Sequence, residues 1–519
     1  MKARRIFSII LAISVMGSLC ACKTKKTSET ETQTQTVTEP SLTTETTKES
    51  TTEESVTKPT DDPNVVKNVE DESEEPITIY GYDPEFKNLM KKYLPDVECE
   101  YVLLEKDVYF KTLADALKSE EKTPDLFMCD KAHLQDYSYS NKTLNLGELG
   151  FIYSDLEDQF AYTYEAAEDK DHAPKALSYL LAPSVIIYNR LLAYKAFGND
   201  DPSVVSTYLN SWDHILDCAQ EINVNSEGKL KLFSSIKDIR ETYWTSHTTS
   251  WIKDGKVVIG KEFDKYFHIE EVLSAESLTF DEEYGSEDWQ KRLMDNEAVM
   301  FFGSLEKAKN VIGYVPGHKE DPEDLEANSW RETSETTKES TTETAEQKET
   351  KPAGTTESGS ESGTTGESTT EETTIDPDIK GWAILPAPEA TYDDGIWLMA
   401  ASTCDKKATA AKILKTFTLD EATMEQMALE GMFVNSKTVM KKCAADPYFI
   451  SDFLGGQNPY AVLVPIAEEI QVAVSTEENE YAYREIEHLL EAYLEGQIDS
   501  MAEVKHQFTV GMEELFGLT

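Results

Sequence analysis

Hydrophobic and polar positions along this chain follow two periods, and from residue 77 onward the switch between them is easy to follow. Ile77-Thr78-Ile79-Tyr80 alternates with the period of two that a pleated strand requires. Residues 85–93 repeat at helical spacing, residues 97–104 alternate again, and residues 108–118 set Leu113, Ala116 and Leu117 on one helical face. Pro124-Asp125-Leu126-Phe127-Met128 then reads as a third strand. The order β-α-β-α-β predicts a parallel sheet with right-handed crossovers. Ligands of such sheets lie beyond the carboxyl ends of the strands, which singles out Tyr80-Gly81-Tyr82 and Asp130-Lys131. Farther along, residues 183–189 read as another buried strand and residues 213–222 as a helix opened by Ser211-Trp212-Asp213. Residues 482–494 and 501–515 read as two helices separated by Gly496, a natural helix stop.

Two tracts break this patterning. Residues 23–76 are Thr, Ser, Glu and Lys with almost no apolar side chains, too few to bury a core, and read as a disordered tether. About 54 coil-like residues average roughly 40 Å end to end. Residues 318–379 have the same composition and read as a disordered insertion; the nonapeptide Glu45 to Glu53 recurs identically as Glu335 to Glu343. Between and after the tracts, residues 77–317 and 380–519 amount to roughly 380 residues, more than one hydrophobic core usually covers, so two lobes are expected, with both segments contributing. Lengthening a surface loop from about 6 to about 60 residues costs only about 2 kcal/mol of closure entropy, so an insertion of this size is tolerable.

The N-terminus has a different logic. Lys2, Arg4 and Arg5 precede an apolar run, residues 6–16, too short to span a hydrocarbon core but ordered like a secretory signal. Leu19-Cys20-Ala21-Cys22 resembles the lipobox of bacterial lipoproteins, which implies cleavage after residue 21 and lipid on Cys22. At about 0.8 kcal/mol per buried methylene, several acyl chains give stable anchoring where one does not. No later segment is long and apolar enough to span a membrane, so attachment is expected through lipid alone, with the protein on the outer face of the cytoplasmic membrane of a Gram-positive-type cell.

Charge and motifs narrow the function classes. The net charge of −49 disfavours nucleic acid. There is no phosphate-loop motif, no G-x-S-x-G, no H-E-x-x-H and no recurrent histidine spacing; His268 with Glu271 is an isolated pair. A binding protein without catalysis, cofactor or metal is the expectation. Of the seven cysteines two lie in the signal region, and Cys99, Cys129, Cys218, Cys404 and Cys443 are scattered, with a Cys404 to Cys443 bridge left open.

Several motifs in series resemble the bacterial extracellular solute-binding proteins of family 1. They are the opening ITIYGYDPEF, the P-D-L-F strand ending at Phe127, and Tyr188-Asn189 followed by Leu191 to Phe197. Next come Ser211-Trp212-Asp213, Asp288-Trp289 leading to Met300-Phe301-Phe302-Gly303-Ser304, and Gly381-Trp382 to Pro388. Gly395-Ile396-Trp397 and Tyr493-Leu494-Glu495-Gly496 complete the order. Each is weak alone; their collinearity carries the resemblance. It implies an α/β, two-lobed, periplasmic-binding-protein-like fold of type II, with parallel-type sheets, flanking helices and a hinge between the lobes. It further implies a monomer that captures a small solute, most naturally an oligosaccharide, for the permease subunits of an ABC-type importer. A surface adhesion or scaffold lipoprotein that keeps the fold without transport is the alternative.

The candidate ligand-binding residues are Tyr80, Tyr82, Asp130, Trp251, Ser304 and Trp397. The tyrosines suit stacking on a sugar ring, and Asp130 suits vicinal hydroxyls or a cationic ligand group. Trp251 sits beside a turn, and Trp397 opens an apolar run after Asp393-Asp394-Gly395, a position that the resemblance sets at the cleft border. Gly303-Ser304 is a small-residue turn that lets backbone and hydroxyl approach a ligand. Trp212, Trp289 and Trp382 are expected to pack within the lobes.

Overall fold

A computed structural model describes residues 65–119, 123–245, 250–280, 282–317, 379, 381–472 and 477–518. The signal segment, Cys22, residues 23–64 of the expected tether and residues 318–378 of the expected insertion lie outside the described residues. Ten strands are described: β1 (Ile77–Gly81), β2 (Cys99–Leu103), β3 (Leu126–Cys129), β4 (Ala176–Pro183), β5 (Val185–Asn189), β6 (Ile252–Lys253), β7 (Lys256–Val257), β8 (Met300–Gly303), β9 (Trp382–Leu385) and β10 (Tyr392–Ala400).

The first lobe is built on a five-stranded sheet in the order β2-β1-β3-β10-β4. β1 pairs in parallel with both β2 and β3, as the β-α-β-α-β pattern requires. The parallel pattern stops there: β10 arrives from far along the chain and pairs antiparallel with both β3 and β4. The second lobe has a smaller sheet, β8-β5-β9, in which both pairings are antiparallel. Both sheets are thus more mixed than the opening pattern implies, because β9 and β10 come from the segment after the insertion and no local periodicity encodes their partners. The short β6-β7 ribbon is separate.

Because strand side chains alternate, β5 feeds two cores at once. Val185 and Ile187 join a cluster with the first lobe's sheet and Trp289, Phe301 and Ile384, whereas Ile186 and Tyr188 join a second cluster with Trp212, Phe302 and the C-terminal helices Glu477–Leu494 and Met501–Phe516. Helix starts follow capping chemistry: the side chains of Asn189, Ser211, Ser286 and Ser500 each accept a backbone N–H of the turn they open. Trp212, Trp289 and Trp382 are buried, as expected.

The lobes meet where β4 passes to β5 at Ser184 and β9 passes to β10, and the Ser184 N–H donates to the Thr391 carbonyl across the two crossings at 2.8 Å. Helix Pro459–Glu469 packs on β4 and β9 beside them. The five described cysteines are free. Cys404 and Cys443 are both buried, and burial pushes each thiol up to about 12, which keeps them protonated and unreactive.

Candidate functional site

The carboxyl ends of β1 and β3 and the start of β10 converge on one rim of the first lobe, and the side chains there form a connected polar set. Asp130, just past β3, is buried and accepts from the His133 backbone N–H at 3.1 Å. Its Oδ1 also lies 2.7 Å from His133 Nδ1, and Lys106 Nζ approaches its other oxygen at 3.2 Å. Lys106, in the first turn of helix Lys106–Ala116, also reaches Asp394 at 3.1 Å and lies 5.2 Å from the centre of the Tyr82 ring. Burial lowers the affinity of Lys106 for its proton, but the attraction of Asp394 and Asp130 outweighs it and leaves the pKa above the ordinary lysine value. Phe110, one turn further along that helix, carries the His133 ring stacked at 3.5 Å and 10°.

Tyr82 packs edge-on to Tyr109 with centroids 5.0 Å apart. Its hydroxyl is buried without a hydrogen-bond partner among the described residues, and burial, with Asp394 and Asp130 nearby, raises its pKa well above that of a free phenol. It stays a neutral donor. Tyr80 is half-buried in β1, and its carbonyl accepts from the Tyr109 hydroxyl at 3.0 Å.

Successive residues on β10 face opposite ways, so the adjacent carboxylates Asp393 and Asp394 serve different lobes. Asp394 accepts from the Lys131 backbone N–H at 3.0 Å, on the first lobe. Asp393 accepts from the Ser304 hydroxyl at 2.9 Å and backbone N–H at 3.3 Å, with Lys307 Nζ at 3.6 Å, on the second. Ser304 is 2% exposed, and its Oγ also accepts the Lys307 N–H as cap of helix Leu305–Ile312. Between these anchors lies a cavity of about 20 Å³ lined by Lys131, Ser184, Thr242, Tyr284, Phe302, Thr391, Tyr392 and Asp393. That is room for about one water molecule, so the lobes are drawn together at the hinge.

The two tryptophans nominated as stacking platforms have no open face in this conformation. Trp251 is fully buried in the second lobe against Phe263 and Phe508, at 4.2 and 5.1 Å between centroids. Trp397 is 1% exposed; its indole N–H donates to the Thr163 carbonyl at 2.8 Å. The ring lies directly over Gly395, where an added Cβ would come within 2.8 Å of it. Both positions satisfy the burial that indole favours, and the polar residues flanking them in sequence belong to a turn (Asp254, Gly255) and to the rim (Asp393, Asp394). Of the six nominated residues, the structure brings Tyr82 and Asp130 into the rim, sets Tyr80 in the strand that leads to it and Ser304 at the junction of the lobes, and withdraws Trp251 and Trp397 into cores. Lys106, Phe110 and His133, which join this rim, were not among the candidates. Lys106 opens the helix after β2, so the same strand-end rule would have found it.

No protein-family profile matches this chain, and neither does any curated protein. Among solved structures, one described as an extracellular solute-binding protein of family 1 aligns with a TM-score of 0.60 at 12% identity, over 84% of this chain and 98% of its own. The ABC transporter associated binding protein from B. animalis subsp. lactis Bl-04, solved with beta-1,6-galactobiose, aligns at 0.53 and 16%, covering 85% and 98%. The cyclic alpha-maltosyl-1,6-maltose binding protein from Arthrobacter globiformis aligns at 0.56 and 10%, covering 85% and 99%. At such identities the likeness fixes the fold: this chain has the two-lobed architecture of extracellular solute-binding proteins.

Proposed function

We propose that this protein is a lipid-anchored extracellular receptor that captures a small solute, most naturally a carbohydrate, between its lobes and delivers it to the permease subunits of an ABC-type importer. The observation that carries this reading is the alignment over nearly the full length of proteins that bind oligosaccharides, combined with a polar rim at the strand ends. The rim has the donor and acceptor types that sugar hydroxyls need: the Asp130 and Asp394 carboxylates accept, and Lys106 and the unpartnered Tyr82 hydroxyl donate. The chain binds and releases without chemistry. Anchoring rests on the lipobox at Cys22, and residues 23–64 serve as the tether. Lobe opening about Ser184 and Thr391 admits the ligand, and closure buries it.

Calorimetric titration of the mature chain against a panel of oligosaccharides, with small-angle scattering to follow closure, tests the reading. Saturable heat with one sugar class and a decrease in radius of gyration is the expected result; no heat with any member and no closure overturns it. The scaffold alternative draws on one observation, the 20 Å³ cavity, and predicts that negative outcome.

A further inference from the structure

Residues 65–75 precede β1 and fall within the expected tether, but with three valines and no threonine they differ from it in composition, and their contacts set them apart as well. The Val66 N–H donates to the Gly147 carbonyl at 3.0 Å, and the Val66 carbonyl and Val69 methyl lie so near Gly150 that an added Cβ would meet each at 3.1 Å. Farther along, the Glu72 N–H donates to the Asp405 carbonyl at 2.6 Å and Lys406 Nζ donates to the Ser73 carbonyl at 2.6 Å.

Asp71 is the centre of this set. Helix Lys407–Thr418 starts at a residue, Lys406, whose side chain makes no cap. A helix start leaves its first N–H groups without intrahelical acceptors. Asp71, 338 positions earlier, supplies one: its Oδ1 accepts the Thr409 N–H at 3.0 Å and its Oδ2 the Thr409 hydroxyl at 2.6 Å, with Lys406 Nζ at 3.7 Å. Burial pushes the Asp71 carboxyl up, but the Thr409 bonds and the Lys406 charge outweigh it and leave the pKa below the ordinary carboxylate value. A negative cap at a helix N-terminus is also favoured by the helix dipole.

All these partners, Gly147, Gly150, Asp405, Lys406 and Thr409, belong to the first lobe. We propose that residues 65–75 are a strap that fastens the N-terminal tether to the first lobe alone, with Asp71 as its buckle. The tether's pull then enters the molecule through the helix Lys407–Thr418 and the turn at Gly147 to Gly150, not through the edge of β1. Where the tether carries the lipid anchor proposed above, it holds the molecule by the first lobe and leaves the second free to swing about the hinge.

Residue-resolved amide hydrogen exchange on the mature full-length chain, without ligand, tests the strap. The amides of Val66, Glu72 and Thr409 are expected to be protected. Asp71→Ala should accelerate all three by about fivefold or more, the loss of a typical cap, while amides of helix Met501–Phe516 in the second lobe keep their rates. Thr409→Val removes the hydroxyl bond to Asp71 from the helix side while the backbone N–H still donates, and should accelerate Val66 and Glu72 by a smaller factor, which holds the test should Asp71→Ala fold poorly. Unprotected amides in the unsubstituted chain, or an unchanged Thr409 rate in Asp71→Ala, overturn the strap. Equal acceleration in the second lobe overturns its confinement to the first. None of these rates depends on lipid or sugar, so a Cys22→Ala chain that keeps its membrane attachment would refute the anchor and leave the strap standing.

Discussion

The rim of the first lobe and the interior of the second hold their ionisable groups in opposite ways. In the first, Lys106, His133 and Asp394 sit at the rim with half-open side chains, and only Asp130 beneath them is buried. In the second, Arg240, Glu270 and Asp238 are at most 1% exposed. Arg240 Nε lies 3.1 Å from Glu270 and 3.2 Å from the Tyr266 hydroxyl, and its guanidinium lies over the Trp244 ring. Asp238 accepts from the Trp289 indole N–H at 3.0 Å and the Ser235 N–H at 2.8 Å. Charge at the first lobe's rim is available for recognition and contributes little to folding. Charge inside the second is available to nothing outside and is expensive to disturb.

The sharpest way to break this contrast is Glu270→Ala, which removes the closest carboxylate of buried Arg240 and leaves only Glu487 at 3.8 Å. It should cost about 3–5 kcal/mol in urea unfolding; a loss under about 1 kcal/mol would mean that the buried pair is not what it looks like. Asp238 gives the next largest effect, and the sign follows from its surroundings. Burial pushes the carboxyl up to about 7, and the Trp289 and Ser235 bonds pull it back only in part. The folded chain therefore keeps a proton that the unfolded chain releases near the ordinary value of 3.8. This group's stabilisation is full below about pH 4 and falls by up to about 1.4 kcal/mol per pH unit until about pH 7. Asp238→Asn should remove that slope and be the more stable chain at pH 8, as thermal unfolding across the range would register. At the small end, Lys106→Met in the first lobe should change stability by less than about 1 kcal/mol, since its side chain is 52% exposed. The same substitution should weaken sugar binding tenfold or more in calorimetry if the rim is the ligand surface, and an unchanged affinity would move the site elsewhere.

Legibility followed the range of the interactions. The β1 to β3 strands, their connecting helices and the C-terminal helix pair were all evident from local periodicity, and the observed bounds, such as Met501–Phe516, differ by only a residue or a few. The strap was not: Val65, Val66 and Val69 set residues 65–75 apart in composition, but their partners at 147–150 and 405–409 lie far along the chain. Among the candidate residues, Tyr82 and Asp130 could be placed beside strand ends because strand ends are readable from alternation. The burial of Trp251 and Trp397 was not legible, because a tryptophan beside polar residues has the same local sequence whether its ring faces a cleft or lies over Gly395 and donates to Thr163.

What the sequence determined by itself was whatever acts over a few residues: the low-complexity tracts, the opening parallel strands and the number of lobes. The tertiary structure decided what depends on contacts hundreds of positions apart. It inserted β10 between β3 and β4, turned Asp393 and Asp394 toward different lobes, and gave the helix at Lys407–Thr418 a cap from Asp71. The physical reason is that periodicity reports which face of an element avoids water, whereas partners are chosen by the packing of faces brought together only when the chain closes.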